Sequence, residues 1–132
     1  MKNLFLDDLR SPVDAFKETL YDNPHEIYIS KKWVTVRNHI AFVDFILTNG
    51  IPEIISFDHD LAKSHYTPRK FWNDYQKSKE WQDAQVHEEK TGYDCALWLM
   101  QHCIENNLEL PICYIHSGNP VGRDKIINAL KL

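Results

Sequence analysis

Three short apolar runs in this chain each end in polar residues that carry chemistry. They are Leu4–Leu6 before Asp7 and Asp8, Ile54–Phe57 before Asp58, His59 and Asp60, and Ile112–Ile115 before His116 and Ser117. Short apolar runs of this kind are typical of strands buried on both faces of a parallel sheet. Open α/β sheets bind ligands just beyond the carboxyl ends of such strands. We therefore expect these polar residues to meet at one rim of a sheet.

Helical patterns separate the apolar runs. Apolar residues follow helical spacing from Val36 to Leu47. Thr91 begins a capping-box sequence, and the amphipathic pattern after it continues to about Asn106. Residues 123–130 predict a final helix. This alternation of strands and helices favours a parallel sheet with right-handed crossovers.

The remaining segments give weaker signals. Glu26–Ser30 alternates and is rich in β-formers, so it predicts the second strand, and residues 15–20 predict a brief helical turn. Residues 62–90 are polar but contain five aromatic residues, which is unusual for disorder. We expect an insertion that covers the rim, with a helix of its own within residues 70–85.

Composition narrows the class of protein. The 132 residues suit one domain, 1–132, and a net charge of −4 argues against general binding to nucleic-acid backbones. No apolar run approaches the roughly 20 residues of a membrane span, and no signal peptide is evident, so we expect a cytoplasmic protein without membrane contact. Cys95, Cys103 and Cys113 lack C-x-x-C spacing and predict buried reduced thiols rather than a zinc site.

The acidic residues at the strand ends predict a metal site. Asp7, Asp8, Asp58 and Asp60 would repel one another if gathered without a cation. Hard divalent ions such as Mg²⁺ or Mn²⁺ prefer oxygen ligands. The alternative is that each acid caps the helix that follows its strand. Acids at the ends of two separate strands favour the metal.

Histidine and arginine residues near the same strand ends suit phosphate chemistry. His59 and His116 offer imidazoles that exchange protons near neutral pH, although a lone histidine is often only structural. Arg10 and Arg123 follow two strand ends and could grip a phosphate bidentately. The helix that begins at Thr91 offers free amides to an anion.

Four motifs together resemble the cyclic-phosphate-processing receiver-like domain family, a divergent branch of the response-regulator receiver fold. They are residues 4–10 (LFLDDLR), 56–61 (SFDHDL), 91–94 (TGYD) and 116–123 (HSGNPVGR). The motifs occur in family order and span nearly the whole chain. The resemblance implies a three-layer α/β fold of the flavodoxin and receiver type. We expect about four parallel strands in the order 2-1-3-4.

The resemblance also implies roles for individual residues. Asp7 and Asp8 are similar to the metal-binding pair of receivers, Asp58 to the phosphoacceptor, and Ser117 to the hydroxyl position. The sequence departs from ordinary receivers at His59-Asp60 and at His116, and it shows no fifth strand with its lysine. The resemblance therefore implies a role other than a phosphorelay switch.

These observations combine into one expected activity, the metal-dependent hydrolysis of a small cyclic phosphate derived from a nucleotide. The expected metal ligands are Asp7, Asp8, Asp58 and Asp60, the catalytic residues His116, Asp58 and Ser117, and the substrate-binding residues Arg10, Arg123, Asn119, His59 and Thr91. Two alternatives stay open: a binding module that returns a cyclic nucleotide intact, and a receiver phosphorylated on Asp58. The sequence leaves the oligomeric state undetermined.

Overall fold

A computed structural model describes residues 2–17, 26–62, 66–84 and 90–132. Four parallel strands form one sheet, and helices cover both of its faces. The strands are β1 Asn3–Leu6, β2 Trp33–Val36, β3 Ile54–Phe57 and β4 Ile112–Ile115. The helices are α1 Pro12–Lys17, α2 Ile27–Ser30, α3 His39–Asn49, α4 Tyr75–Ala84, α5 Gly92–Glu105 and α6 Pro120–Leu130.

The strands lie in the order β2-β1-β3-β4, so the predicted 2-1-3-4 sheet is confirmed. In the register, Phe5 lies beside Ser56, and Ser56 lies beside Tyr114. Backbone bonds extend this ladder past the strand ends, from Asp58 N to Leu6 O and from His116 N to Phe57 O, both at 2.9 Å. The residues that follow β1, β3 and β4 are therefore held at fixed positions relative to one another.

The two faces of the sheet have different cores. Leu4, Leu6, Ile55 and Phe57 belong to a large apolar cluster that includes residues of α3, α5 and α6. Phe5 lies on the opposite face in a small cluster with Ala15 and Tyr28. Alternation along each strand places Ser56, Asp7, Asp58 and His116 on this second face as well. These polar residues therefore lie on the face of the sheet that carries the smaller apolar cluster.

The prediction of the second strand at Glu26–Ser30 was wrong. Ile27–Ser30 is a helical turn that buries Tyr28, and β2 is Trp33–Val36, which pairs in register with β1. Both segments are rich in β-formers, so local sequence does not distinguish them. Pairing with β1 determines that Trp33–Val36 is the strand. The helix predicted from Val36 instead begins at His39, because the Asn38 side chain accepts a hydrogen bond from the Ala41 amide.

Other predicted elements are found with shifted ends. The early helical turn is α1, and residues 18–20 of that prediction lie outside the described part of the chain. Residues 62–90 contain a 3₁₀ turn at Arg69–Phe71 and then α4. Gln85, the last residue of the helix predicted there, lies outside the described part of the chain. Among the described helices, none has the length and apolar character needed to cross a membrane.

Candidate functional site

Three carboxylates meet at the carboxyl end of the sheet. Asp7 and Asp8 follow β1, and Asp58 follows β3. One oxygen from each of the three lies within 4.8 Å of the others, and Asp7 and Asp58 are almost fully buried. Oxygen ligands at this spacing fit a hard divalent ion such as Mg²⁺ or Mn²⁺. Asp60 is not part of this group of three within the described residues.

Asp7 is the most heavily hydrogen-bonded carboxylate of the three. Its Oδ1 accepts from the backbone amides of Leu9 at 2.9 Å and Arg10 at 2.8 Å. Its Oδ2 accepts from Arg10 Nε at 2.9 Å and faces His116 Nε2 at 3.0 Å. Burial alone would raise the pKa of Asp7, but the bonds from His116 and from these amides outweigh it and hold the pKa well below its usual value. Asp7 is therefore a fixed, ionised anchor.

Asp58 and Asp8 are less well compensated. Burial, together with the neighbouring charge of Asp7, raises the pKa of Asp58 well above its usual value. Burial also raises the pKa of Asp8, although the Tyr66 hydroxyl donates to both of its oxygens at 3.1 Å. A cation between these groups would remove the cost of gathering their charges.

Arg10 is the positive group within this cluster. Its Nη2 lies 3.4 Å from Asp58 Oδ1 and donates to the carbonyl oxygen of His116 at 3.3 Å, while its Nε pairs with Asp7. Arg37 Nη1 in turn donates to the carbonyl oxygens of Asp7 and Arg10, at 3.1 and 2.7 Å. Arg37 thus holds the backbone of the loop after β1, and Arg10 links the residues that follow β1, β3 and β4.

A second polar cluster lies beside the carboxylates. His59 Nδ1 lies 2.8 Å from Asp60 Oδ1, and Asn119 Nδ2 donates to the same oxygen at 3.2 Å. Asn119 Oδ1 caps α6 through the Gly122 amide and also accepts from Gln82 of α4 at 3.1 Å. Asp60 is therefore oriented by two neighbours, and helix α4 is linked to it through one asparagine.

Several predicted site residues serve the fold at this end of the sheet. Thr91 forms a capping box with Asp94 at the start of α5. Arg123 Nη1 donates to the carbonyl oxygen of Ile115 at 2.9 Å. Ser117 is almost fully buried, and its hydroxyl accepts from the Asn119 amide at 3.2 Å. The structure places these three side chains near the rim but in structural contacts.

His116 lies beneath the rim. Its side chain is fully buried, stacks on Phe5 with ring centroids 4.2 Å apart, and lies 2.7 Å from Ser56 Oγ. Its Nδ1 and Nε2 face Ser56 and Asp7 rather than the rim. This geometry does not favour the catalytic role that the sequence predicts for His116, because the imidazole faces Asp7 and the protein interior.

A cavity of about 560 Å³ opens above the carboxylates. Its charged lining consists of Asp7, Asp58, Asp60 and Arg10. Its walls come from two loops and the insertion: Leu9, Tyr66, Thr67, Trp72, Ser78, Gly118, Asn119 and Pro120. Ligand sites in proteins are commonly concave and mostly apolar with a few convergent polar groups, and this cavity has that form.

A family model described as "Cyclic-phosphate processing Receiver domain" matches residues 2–132. The chain belongs to this family. The resemblance drawn from the four sequence motifs is therefore confirmed, and so is the receiver-like fold. A search of curated proteins and a search of solved structures found no significant match.

In this cyclic-phosphate-processing receiver domain, sequence reasoning missed Tyr66, which borders the site, and left Trp72 open between stacking on a base and packing onto the domain. Tyr66 covers Asp8, and Trp72 lines the cavity with its ring fixed by a 2.8 Å bond from Nε1 to the carbonyl oxygen of Thr67. The only signal in the sequence was the unusual number of aromatic residues in the insertion. Arg37, which holds the loop after β1, gave no signal at all.

Proposed function

We propose that this domain binds a small cyclic phosphate of a nucleotide in the cavity and hydrolyses it with a divalent cation. One observation carries the proposal: Asp7, Asp58, Asp60 and Arg10 line a cavity in a chain of this family, and Asp8 lies beside Asp7 and Asp58. Asp7, Asp8 and Asp58 are the residues that would hold Mg²⁺ or Mn²⁺. When bound, such an ion neutralises charge and polarises a phosphoryl oxygen.

The charges around the cavity favour a singly charged ligand. Among its described lining residues, Arg10 is the one cationic side chain beside three acids. A cyclic phosphodiester carries one negative charge, whereas the opened phosphomonoester carries about −1.5 to −2 near neutral pH. The acids therefore repel the product more strongly than the substrate, which favours release after the ring opens.

Asp60 is the group best placed to move a proton. It lines the cavity, lies outside the group of three metal-binding carboxylates, and is oriented by His59 and Asn119. In the proposed reaction Asp60 takes a proton from water as the water oxygen bonds to phosphorus. The bond from phosphorus to the ring oxygen breaks, and Asp60 returns the proton to that oxygen. His116 acts on Asp7 instead of on the substrate.

The apolar walls of the cavity suit a nucleobase. Trp72 is 63% exposed and lies with Leu9 and Pro120 around the opening. The Arg69 guanidinium lies 5.7 Å from the Trp72 ring and braces its orientation. A base stacked on an aromatic side chain contributes about 1–3 kcal/mol. We therefore expect nucleoside cyclic phosphates to bind more tightly than cyclic phosphates that lack a base.

The test is phosphorus NMR with purified protein and a panel of cyclic phosphates. The panel contains 2′,3′-cyclic mononucleotides, a base-free ribose cyclic phosphate and cyclic dinucleotides, each with diamagnetic Mg²⁺ or with EDTA. We expect 2′,3′-cyclic mononucleotides to be converted to open phosphates, with loss of conversion in EDTA, in Asp58→Asn and in Asp60→Asn. Asp44→Asn, an exposed acid on α3, is the matched control and keeps full conversion.

A separate kinetic measurement tests the role of Trp72. Trp72→Ala should raise KM for a cyclic mononucleotide by about tenfold, the equivalent of 1.4 kcal/mol, and leave the base-free compound unchanged. A ligand that shows protein-dependent line broadening in Mg²⁺ but is returned intact by wild-type protein would instead establish a binding module.

A further inference from the structure

Four buried polar side chains form a continuous chain beneath the carboxylates. Tyr28 Oη lies 2.7 Å from Ser56 Oγ, Ser56 Oγ lies 2.7 Å from His116 Nδ1, and His116 Nε2 lies 3.0 Å from Asp7 Oδ2. Each of the four residues is at most 2% exposed. They come from α2, β3, the end of β4 and the end of β1, so the chain crosses the sheet.

The chain has one consistent arrangement of hydrogens when the imidazole is neutral. An ionised carboxylate only accepts, so His116 Nε2 carries the hydrogen and donates to Asp7. The unprotonated Nδ1 then accepts from the Ser56 hydroxyl. Because the Ser56 hydrogen is used in this way, Tyr28 is the donor to Ser56. Every donor in the chain points towards Asp7.

The ring of His116 is also held by its neighbours in the core. Its plane is within 6° of the Phe5 ring, and the Tyr28 ring meets it edge-on at 6.2 Å. Stacking fixes the plane of the imidazole, but a half-turn about the Cβ–Cγ bond keeps that plane and exchanges each ring nitrogen with a carbon. The hydrogen bonds to Ser56 and Asp7 select between these two orientations. Ser56 provides the bond at Nδ1 and thus sets the direction in which Nε2 points.

We propose that Ser56 and Tyr28 are positioning residues that hold His116 as the Nε2–H tautomer and so keep Asp7 oriented towards the neighbouring carboxylates. Groups that orient ligands from behind commonly change metal affinity 10–100-fold when they are removed. The consequence for metal binding rests on the proposed function, whereas the tautomer and its dependence on Ser56 do not.

The test combines NMR of the histidine ring nitrogens with Mn²⁺ titration calorimetry and thermal unfolding. In metal-free wild-type protein we expect a slowly exchanging Nε2 hydrogen on His116 and an unprotonated Nδ1. Ser56→Ala removes the hydroxyl, so this hydrogen should exchange faster and Mn²⁺ affinity should fall about tenfold. Tyr28→Phe removes only the outer hydroxyl and should give a smaller change in the same direction.

The matched control is Tyr114→Phe, the same substitution at the β4 residue that pairs with Ser56. It should leave the His116 signal and Mn²⁺ affinity unchanged. A doubly protonated His116 in wild-type protein, or variants whose melting temperature falls while the ring signal and Mn²⁺ affinity stay constant, would overturn the proposal. If Ser56→Ala does not fold, Tyr28→Phe decides.

The two proposals fail in different ways. If wild-type protein binds no Mn²⁺ but the ring hydrogen depends on Ser56 as expected, the metal-dependent function is wrong and the positioning of Asp7 stands. If Mn²⁺ binds and neither variant alters its affinity or the ring signal, the positioning role is wrong and the function stands.

Discussion

Two glycines allow backbone and ring to approach closely at the site, and substituting them should reveal how tightly the site is built. A Cβ at Gly92 would lie 1.8 Å from the carbonyl oxygen of Asp58, and its other close neighbours are also backbone atoms. Real Cβ atoms stay at least 3.0 Å from such neighbours, so α5 and the end of β3 would have to move apart by at least 1.2 Å. No rotation of a side chain can supply it.

The magnitude follows from these contacts. Overpacking a rigid site costs about 1–3 kcal/mol, and the shift also strains the 2.8 Å bond from the Gly92 amide to the carbonyl oxygen of His59. We expect Gly92→Ala to lower the free energy of unfolding by about 3 kcal/mol. At Gly122 the Cβ would lie 2.3 Å from His59 Cγ and 2.7 Å from His59 Cβ, which are the base of a buried side chain rather than its flexible end. Gly122→Ala should therefore also be destabilising, by about 1–3 kcal/mol.

The matched control is Gly118→Ala, since a Cβ there meets nothing within 4 Å. Its free energy of unfolding should stay within about 0.5 kcal/mol of wild type. Urea unfolding followed by tryptophan fluorescence measures all three variants. With a slope of about 2 kcal/mol/M, Gly92→Ala should lower the urea midpoint by about 1.5 M. Equal midpoints for Gly92→Ala and Gly118→Ala would refute the close packing of α5 on Asp58.

Three further variants test the buried charge of Asp58, the Tyr66 hydroxyl bonded to Asp8, and the helix cap at Thr91. In EDTA at pH 7, Asp58→Asn should unfold at a higher temperature than wild type, because burial raises the pKa of Asp58 and its ionised form costs stability. The difference in melting temperature should close as the pH falls towards about 4, where the carboxyl of the unfolded chain also gains its proton. Tyr66→Phe should increase Mn²⁺ affinity up to tenfold in calorimetry, since the hydroxyl no longer competes for Asp8; unchanged affinity would place the ion elsewhere. Thr91→Ala should lower the free energy of unfolding by about 1–2 kcal/mol and leave turnover unchanged, and reduced turnover in the folded variant would show that Thr91 contacts substrate.

The sequence predicts the assembly of the carboxylates well because the signal is local. Each apolar run is long enough for one strand, and topology brings the residues after parallel strands to the same rim. Asp7 and Asp58 are found together there, next to Asp8 and Arg10. The capping box of Thr91 is equally local, since its partner lies three residues away, and the structure shows both of its bonds.

What the sequence could not predict depends on long-range register. His116 is buried because its strand position places it on the face of Phe5 and Ser56, and no local pattern reports that face. The choice of Trp33–Val36 as the second strand depends on pairing with β1. The contact of Tyr66 with Asp8 joins residues 58 apart.

The bond between Asp7 and His116 spans 109 residues and joins the first strand to the last. During synthesis, the first strand leaves the ribosome long before its histidine partner is made. Until then, the carboxylate of Asp7 lacks one of the donors that compensate its burial, so water must remain around it. Closure of the rim around Asp7 therefore requires β4 to be in place, and an intact bond between Asp7 and His116 reports that β1 and β4 have come together.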